Sequence, residues 1–479
     1  MSISPVQPLE LGKSQASATW LAEPNLLFAG GQKCTNPKVG IPLYGPRSLN
    51  TGRHKKEIHV GLIGTGEAVE HTVSFFTKCC EGVDGDAEHF PFPGCKADRG
   101  FQSELEFDDR MVEKITQHER QEIVDIKFSR ERLERLLGLL QAKMEVLTRR
   151  DHPLDYIVLA LPEDLYLKCR SATYRVKHVE VYRNLRRAFK AMAMQFLKPT
   201  QILLESTTGL TQSTREVDHK SVVAWNLFCG LYFKVDGLPW GPVGLPPGTC
   251  HIGIGFFRPL GETSTLRASV VQAFDENGEG LVLRGRDFDW DEVKQGKSPH
   301  LSEDMAADLV QKVLAAYQKE RQGQIPQRVV VHKVSRYEEA ERRGFQAGLA
   351  KVKEYDLLTV HPVSETRLIR AGTRPVLRGT SFSVGDQHYL YTTGYLPDLG
   401  QYPHGHVPSP LLLADHIGDT PVEKLQQEIL TLTKMNWNSA NMHGLMPITL
   451  RFARLVGDIM REFPAGMGRE PEPKYKYYM

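Results

Sequence analysis

Three apolar segments constrain this chain more than anything else in it. IHVGLIGTG from Ile58, DYIVLALP from Asp155 and QILLEST from Gln201 each have the length and composition of a buried strand, and stretches of helical periodicity separate them. The first runs through glycines into AVEHTVSFFTKCC. The second follows an amphipathic stretch over 129–150, with Ser129 in the N-cap position, and precedes a very basic helix read over 181–196. Strands that alternate with helices imply a parallel sheet covered on both faces, with binding groups expected at the carboxyl ends of its strands. The first half is therefore read as α/β and Rossmann-like, with a further strand-like start at 121 and another helix over 222–233.

The pattern changes after KVDGLPWGPVGLPPG, residues 234–248, where crowded Gly and Pro predict a domain boundary. CHIGIGFFRP, TLRASVVQAFD and EGLVLRGRDF then read as a meander of three strands. The helix SEDMAADLVQKVLAAYQKERQ and the strand RVVVHKV follow, and later come YDLLTVHPV, HYLYTTGY and helices over 421–434 and 447–463. Three antiparallel strands, a helix and another strand is the order of an RNase H-like core.

A length of 479 residues exceeds what one core usually supports, so two units are expected. Lys plus Arg number 60 against 58 Asp plus Glu, so any nucleic-acid binding must come from local clustering rather than overall charge. The seven cysteines include no CxxC pair. Cys79, Cys80 and Cys95, near His89, are accordingly read as small buried hydrophobes rather than zinc ligands, in a reducing setting. No apolar run approaches the ~20 residues of a membrane span, and the first 20 residues lack a signal-peptide core, so a soluble, cytoplasmic protein is expected. Gly61, Gly64 and Gly66 depart from the dinucleotide-binding spacing, and no acidic residue stands where a ribose would need one.

The local cluster lies in YRNLRRAFK. Tyr182, Arg186 and Lys190 are four apart and would share one helix face, with Arg183 and Arg187 beside it. Such a face suits a terminal phosphate, which carries close to two negative charges and is best held by cationic donors and a polar amide. Gln201 opens the next strand and Lys234 closes the next helix.

Three segments carry a resemblance to a known family. LTKMNWNSANMHGLMPITLRFARLVGDIMREF resembles the end of PIWI domains, LLFAGG…PKVGIPLYGPRS looks like the opening of short prokaryotic Argonautes, and NLFCGLYFKVDGLPW is similar to the MID-to-PIWI junction. The resemblance spans residues 25–479 and implies an arm over 1–24, a MID domain over 25–240 and a PIWI domain over 241–479. It assigns Arg186, Lys190, Gln201 and Lys234 to the 5′-phosphate of a guide. Arg186 stands where an aromatic ring is usual, and the interval from Gln201 to Lys234 is longer than in the family. An alternative register pairs Tyr182 with Arg186. The aromatic ending KYKYYM is expected to pack inward. The resemblance further implies a divalent ion, Mg²⁺, held against the guide phosphate by Gln201 and the carboxylate of Met479.

The same resemblance implies that this PIWI domain does not cut. A slicer needs carboxylates that hold two divalent ions about 4 Å apart. Here Gly255 occupies the first expected position, His332, Lys333 and Val334 replace the second, and Leu450 the last. Asp287, Asp289 and Asp291 form the nearest acidic cluster and read as a polar turn after a hairpin. The implied function is a sensor loaded with a guide, RNA being expected, that recognises complementary target, DNA being expected. It would act in prokaryotic immunity by activating a partner with an APAZ domain and a sirtuin-like, TIR-like or nuclease effector. Two other readings stay open: an active RNase H-like nuclease whose carboxylates lie elsewhere, and a general α/β enzyme using the Gly-rich turn after Ile58.

Overall fold

The computed structural model describes residues 16–479 apart from 177, 212–217, 262–264, 268–269, 275–279, 401, 403–405, 443 and 464–471. Parts of the expected arm, of the TLRASVVQAFD strand and of the asparagine-rich turn thus lie outside the described residues.

The first unit is a four-stranded parallel sheet in the order Glu104–Lys114, Glu57–Gly64, Tyr156–Leu161, Thr200–Leu204. The strand Tyr156–Leu161 shows why it is sandwiched. Tyr156, Val158 and Ala160 join the core formed with the helices Gly66–Glu81 and Lys220–Lys234, while Ile157, Leu159 and Leu161 join the core formed with Ser129–Arg149 and Leu185–Ala193. All six are buried, and each apolar side chain so removed from water contributes ~1.5–3 kcal/mol.

The second unit is a nine-stranded mixed sheet. Its centre is parallel, Thr249–Ile254 beside Arg328–Lys333 beside Glu354–Pro362, and antiparallel strands flank it. The helices Glu303–Glu320 and Glu339–Gly348 cover one face, and Val422–Leu432 and Ile448–Met460 the other. The meander is present as Thr249–Ile254, Val270–Phe274 and Gly280–Arg284. The molecule is thus α/β, with a Rossmann-like unit followed by an RNase H-like one. Among the described residues no helix is long and apolar enough to cross a membrane.

Several local expectations are corrected. The strand-like start at 121 is the helix Gln117–Asp125, opened by a capping box in which Thr116 and Glu119 satisfy each other's backbone N–H groups. Phe128, not Ser129, is the N-cap of the next helix. The basic helix read over 181–196 begins late: Val179–Asn184 is a strand paired antiparallel with Ser171–Val176, and the helix runs Leu185–Ala193. The reason is Asn184, whose side-chain oxygen accepts from the Arg187 N–H and so starts the helix there. Residues 16–20 of the arm form a strand, Ala16–Trp20, at the edge of the large sheet beside Thr380–Val384.

Candidate functional site

Helix Leu185–Ala193, edge strand Thr200–Leu204 and the end of helix Lys220–Lys234 meet around a cavity of about 460 Å³. Arg186, Lys190, Gln201, Lys234 and Met479 all line it, together with Asn438 from the second unit. The sequence placed these groups up to hundreds of residues apart; the fold brings all five expected residues to one cavity. The cavity runs along the length of Thr200–Leu204, not only at its carboxyl end, because its cations come from helix positions that pack beside the start of that strand.

The electrostatics of the lysines are unusual. Lys190 Nζ donates to the Thr200 carbonyl and, at 3.0 Å, to Thr200 Oγ1. Lys234 Nζ donates to the same carbonyl at 3.2 Å and to Gln201 Oε1 at 2.9 Å, and lies 5.7 Å from the centre of the Tyr156 ring. Both ammonium groups are buried, and neither forms an ion pair among the described residues. Burial, followed by repulsion from Lys234 and Arg186, pushes the Lys190 pKa well below its ordinary value. Burial and Arg186 lower that of Lys234 to about 7. Arg186 stands at the exposed side of the cavity and has no hydrogen-bond or ion-pair partner among the described residues. Three cations converge here, none of them ion-paired among the described residues, although Asp218 and Met479, which bears the terminal carboxylate, also line the cavity. An oxyanion entering it would meet donors already oriented and would relieve their mutual repulsion.

The other basic residues of YRNLRRAFK are spent elsewhere, Arg183 on the strand Val179–Asn184 and Arg187 on the helix. Arg183 pairs with Glu462 at 2.8 Å and with Glu134, and Arg187 with Asp458 at 2.9 Å, so they tie the first unit to the end of helix Ile448–Met460. Tyr182 is exposed on the preceding strand. It does not share the helix face with Arg186, which removes the alternative register. Sequence reasoning missed Asn438 and Thr200. The asparagine-rich turn was visible, but its approach to the first unit depends on Asn226, whose Oδ1 accepts from the Ala440 N–H at 3.3 Å. The chain end packs inward: Tyr475, Tyr478 and Met479 are buried, Tyr475 stacks on Phe452, and Lys476 pairs with Asp236 at 2.7 Å.

Gly255, Lys333 and Leu450 also converge, on a second cavity of about 580 Å³ beside the parallel centre of the large sheet. The carboxylates lining it are Glu292 and Asp458, paired with Arg258 and Arg187. Lys333 is buried, and its ammonium is bonded to Glu341 and to His300 Nδ1. The helix Ile448–Met460 lies close against the strand: a Cβ at Gly253 would fall 2.3 Å from the Thr449 carbonyl oxygen, and one at Gly255 3.3 Å from Ala453 Cβ. Asp287, Asp289 and Asp291 are absent from the lining; Asp287 pairs with Arg284, and Asp291 caps the short helix Glu292–Gln295. Deeper in this sheet, Arg328 holds both Asp356 (2.8 Å) and Glu428 (2.6 Å); bonds from His416 and Thr420 to Asp356 and from His251 to Glu428, followed by Arg328 in each case, keep each carboxyl at about 2 against the cost of burial.

No protein-family model matches the chain, and no curated protein is similar enough in sequence to match it. Solved structures do match. The chain is similar to Clostridium butyricum Argonaute bound to a guide DNA and a 19-mer target DNA, at 14% identity and a TM-score of 0.64, covering 94% of this chain and 54% of that one. It is similar to Aa-Ago with externally bound siRNA at 16% identity and a TM-score of 0.59, covering 97% and 56%. It is also similar to A. aeolicus Argonaute at 16% identity and a TM-score of 0.56, covering 94% and 54%. The chain thus spans about half the length of the structures it matches, and the fold they share with it is that of MID and PIWI-like domains.

Proposed function

We propose that this chain is a short, MID-PIWI Argonaute that anchors the 5′-phosphate of a guide in the first cavity and pairs the guide with a complementary target. The observation that carries this reading is the pair of buried ammonium groups, Lys190 and Lys234, facing one cavity with Gln201 and no paired anion. The MID domain is taken as residues 25–240 and the PIWI domain as 241–479, with RNA the expected guide and DNA the expected target.

Mg²⁺ belongs to the same proposal. It is commonly held by one or two carboxylates together with substrate phosphates. Gln201 Oε1 and Met479 stand on the cavity wall, so the Gln201 oxygen and the Met479 carboxylate would hold the ion, which would neutralise part of the phosphate charge. EDTA is expected to weaken binding of a 5′-phosphorylated guide.

The chain is further proposed not to cut. Gly255, Lys333 and Leu450 at the second cavity support this, as does the capture of Asp356 and Glu428 by Arg328, which leaves these carboxylates unable to recruit metal. Activity would then reside in a partner, an APAZ-domain protein with a sirtuin-like, TIR-like or nuclease effector, which this chain activates on target recognition in prokaryotic immunity.

The decisive experiment is binding of 5′-phosphorylated and 5′-hydroxyl guides to the native protein and to Lys190→Met with Lys234→Met, a change that keeps the apolar stems packed. Each charge-assisted contact contributes ~1.5–3 kcal/mol, so the double variant should lose most of the preference for phosphate while its melting temperature holds. Equal loss for both guides would overturn the anchoring site. Cleavage of a labelled target by this chain alone, with Mg²⁺ or Mn²⁺, would overturn the silent PIWI reading.

A further inference from the structure

A second group of side chains, none of which lines either cavity, has the composition of a metal site. After the helix Gly66–Glu81 the chain turns back on itself, held by paired backbone hydrogen bonds between Val83 and Phe92 at 2.8 and 2.9 Å. Within that loop Asp86 Oδ1 accepts from the Glu88 and His89 N–H groups, each at 2.8 Å, and contacts His89 Nδ1 at 2.8 Å. Its second oxygen faces His219 Nε2 at 3.7 Å, too far for a hydrogen bond. His219 comes from 130 residues further along, at the N-cap of helix Lys220–Lys234, and its ring stacks on that of His89 at 4.7 Å and 7°. Its other nitrogen, Nδ1, lies 2.8 Å from Oγ of the fully buried Ser221. The same Nδ1 accepts from the Ser221 N–H at 3.3 Å as the helix N-cap, so an ion at Nε2 would require the ring proton to sit on Nδ1 and be donated to Ser221 Oγ instead.

We infer that Asp86, His89 and His219 form a zinc-class binding site that clasps the 83–92 loop to the start of helix Lys220–Lys234. One ligand atom from each lies within 4.8 Å of the others. Ligand atoms about a tetrahedral ion with bonds of 2.0–2.2 Å are ~3.4 Å apart, so closing the site requires one imidazole to turn out of the stack until the two ring planes converge on the ion. Two imidazoles and one carboxylate favour Zn²⁺, Co²⁺ or Ni²⁺ over Mg²⁺, and a water would complete the coordination. The helix braced at its start is the one whose last residue is Lys234, yet the inference does not rest on the phosphate reading.

The test is titration of the EDTA-treated full chain with Co²⁺ alone and Zn²⁺ alone, beside His89→Ala and His219→Gln. One equivalent of Co²⁺ should give visible d–d bands without the intense near-ultraviolet absorption of cobalt–thiolate bonds. Zn²⁺ should bleach those bands and raise the melting temperature, and each variant, folded by circular dichroism, should lose at least tenfold in affinity. Thiolate absorption would place the ion on cysteines instead. That result, no saturable binding, or unchanged affinity in both folded variants would overturn the site.

Discussion

The two cavities each set a buried lysine beside a parallel sheet, and they treat it in opposite ways. Lys190, Lys234 and Lys333 are 3%, 1% and 1% exposed, so burial alone does not distinguish them. Lys333 is paired with Glu341, itself fully buried, and Glu341 Oε1 also accepts from the Leu301 N–H at 3.1 Å. Lys190 and Lys234 share only a carbonyl, a hydroxyl and an amide oxygen. Lys333 thus has its counter-ion, whereas Lys190 and Lys234 have no ion-pair partner among the described residues. A buried cation left without its counter-ion is strained in the free protein, and that strain is what an incoming phosphate can relieve.

The sharpest way to break this contrast is to unpair Lys333. Glu341→Ala leaves its ammonium buried with His300 Nδ1 and the Arg336 carbonyl but without its carboxylate, which should cost ~3–5 kcal/mol in urea unfolding. Lys234→Met removes a charge that is already uncompensated, so it should leave stability unchanged or raise it. Equal destabilisation by the two substitutions would erase the distinction.

The two regions should respond to pH in the same sense but in separate windows. Asp356 and Glu428 titrate at about 2 in the folded protein, below model values of 3.8 and 4.5. Their stabilising contribution is therefore present above about pH 4.5 and lost as pH falls toward 2, on the order of 2–3 kcal/mol each. Lys234 titrates at about 7 when folded against 10.5 as a model group, so the unfolded chain binds more protons between those values and stability should rise with pH across that window. Segment-resolved hydrogen exchange, corrected for intrinsic rates, checks both. A bound phosphate would restore the lysine's proton, so the preference for 5′-phosphorylated guides should fall as pH rises above 7, by up to ~10-fold per unit for each proton taken up. A preference that is flat from pH 7 to 9 would count against Lys234 as a phosphate ligand.

The smallest effect is expected at Tyr182. It is exposed on its strand, and Tyr182→Ala should change guide affinity by less than ~0.5 kcal/mol. A large loss would revive the register that pairs it with Arg186.

Much of this arrangement was legible in the amino-acid order. The alternation of buried strands and amphipathic helices specifies a covered parallel sheet, because strands apolar on both faces cannot be left wet. The spacing of Arg186 and Lys190 puts both on one side of whichever helix contains them. Helix boundaries were less legible, since Asn184 reads as one more polar residue until its side chain is seen capping the Arg187 N–H. The fate of each charge was not legible at all. Arg183, Arg186 and Arg187 are neighbours of one type in sequence, yet two are consumed by Glu462, Glu134 and Asp458 while Arg186 has no partner among the described residues. By itself, then, the sequence determined the layers, the order of elements and the candidate side chains, all consequences of short-range periodicity and burial. Only the tertiary structure decided which cations find a counter-ion, because Coulomb partners are chosen by distances of a few ångströms between segments hundreds of residues apart.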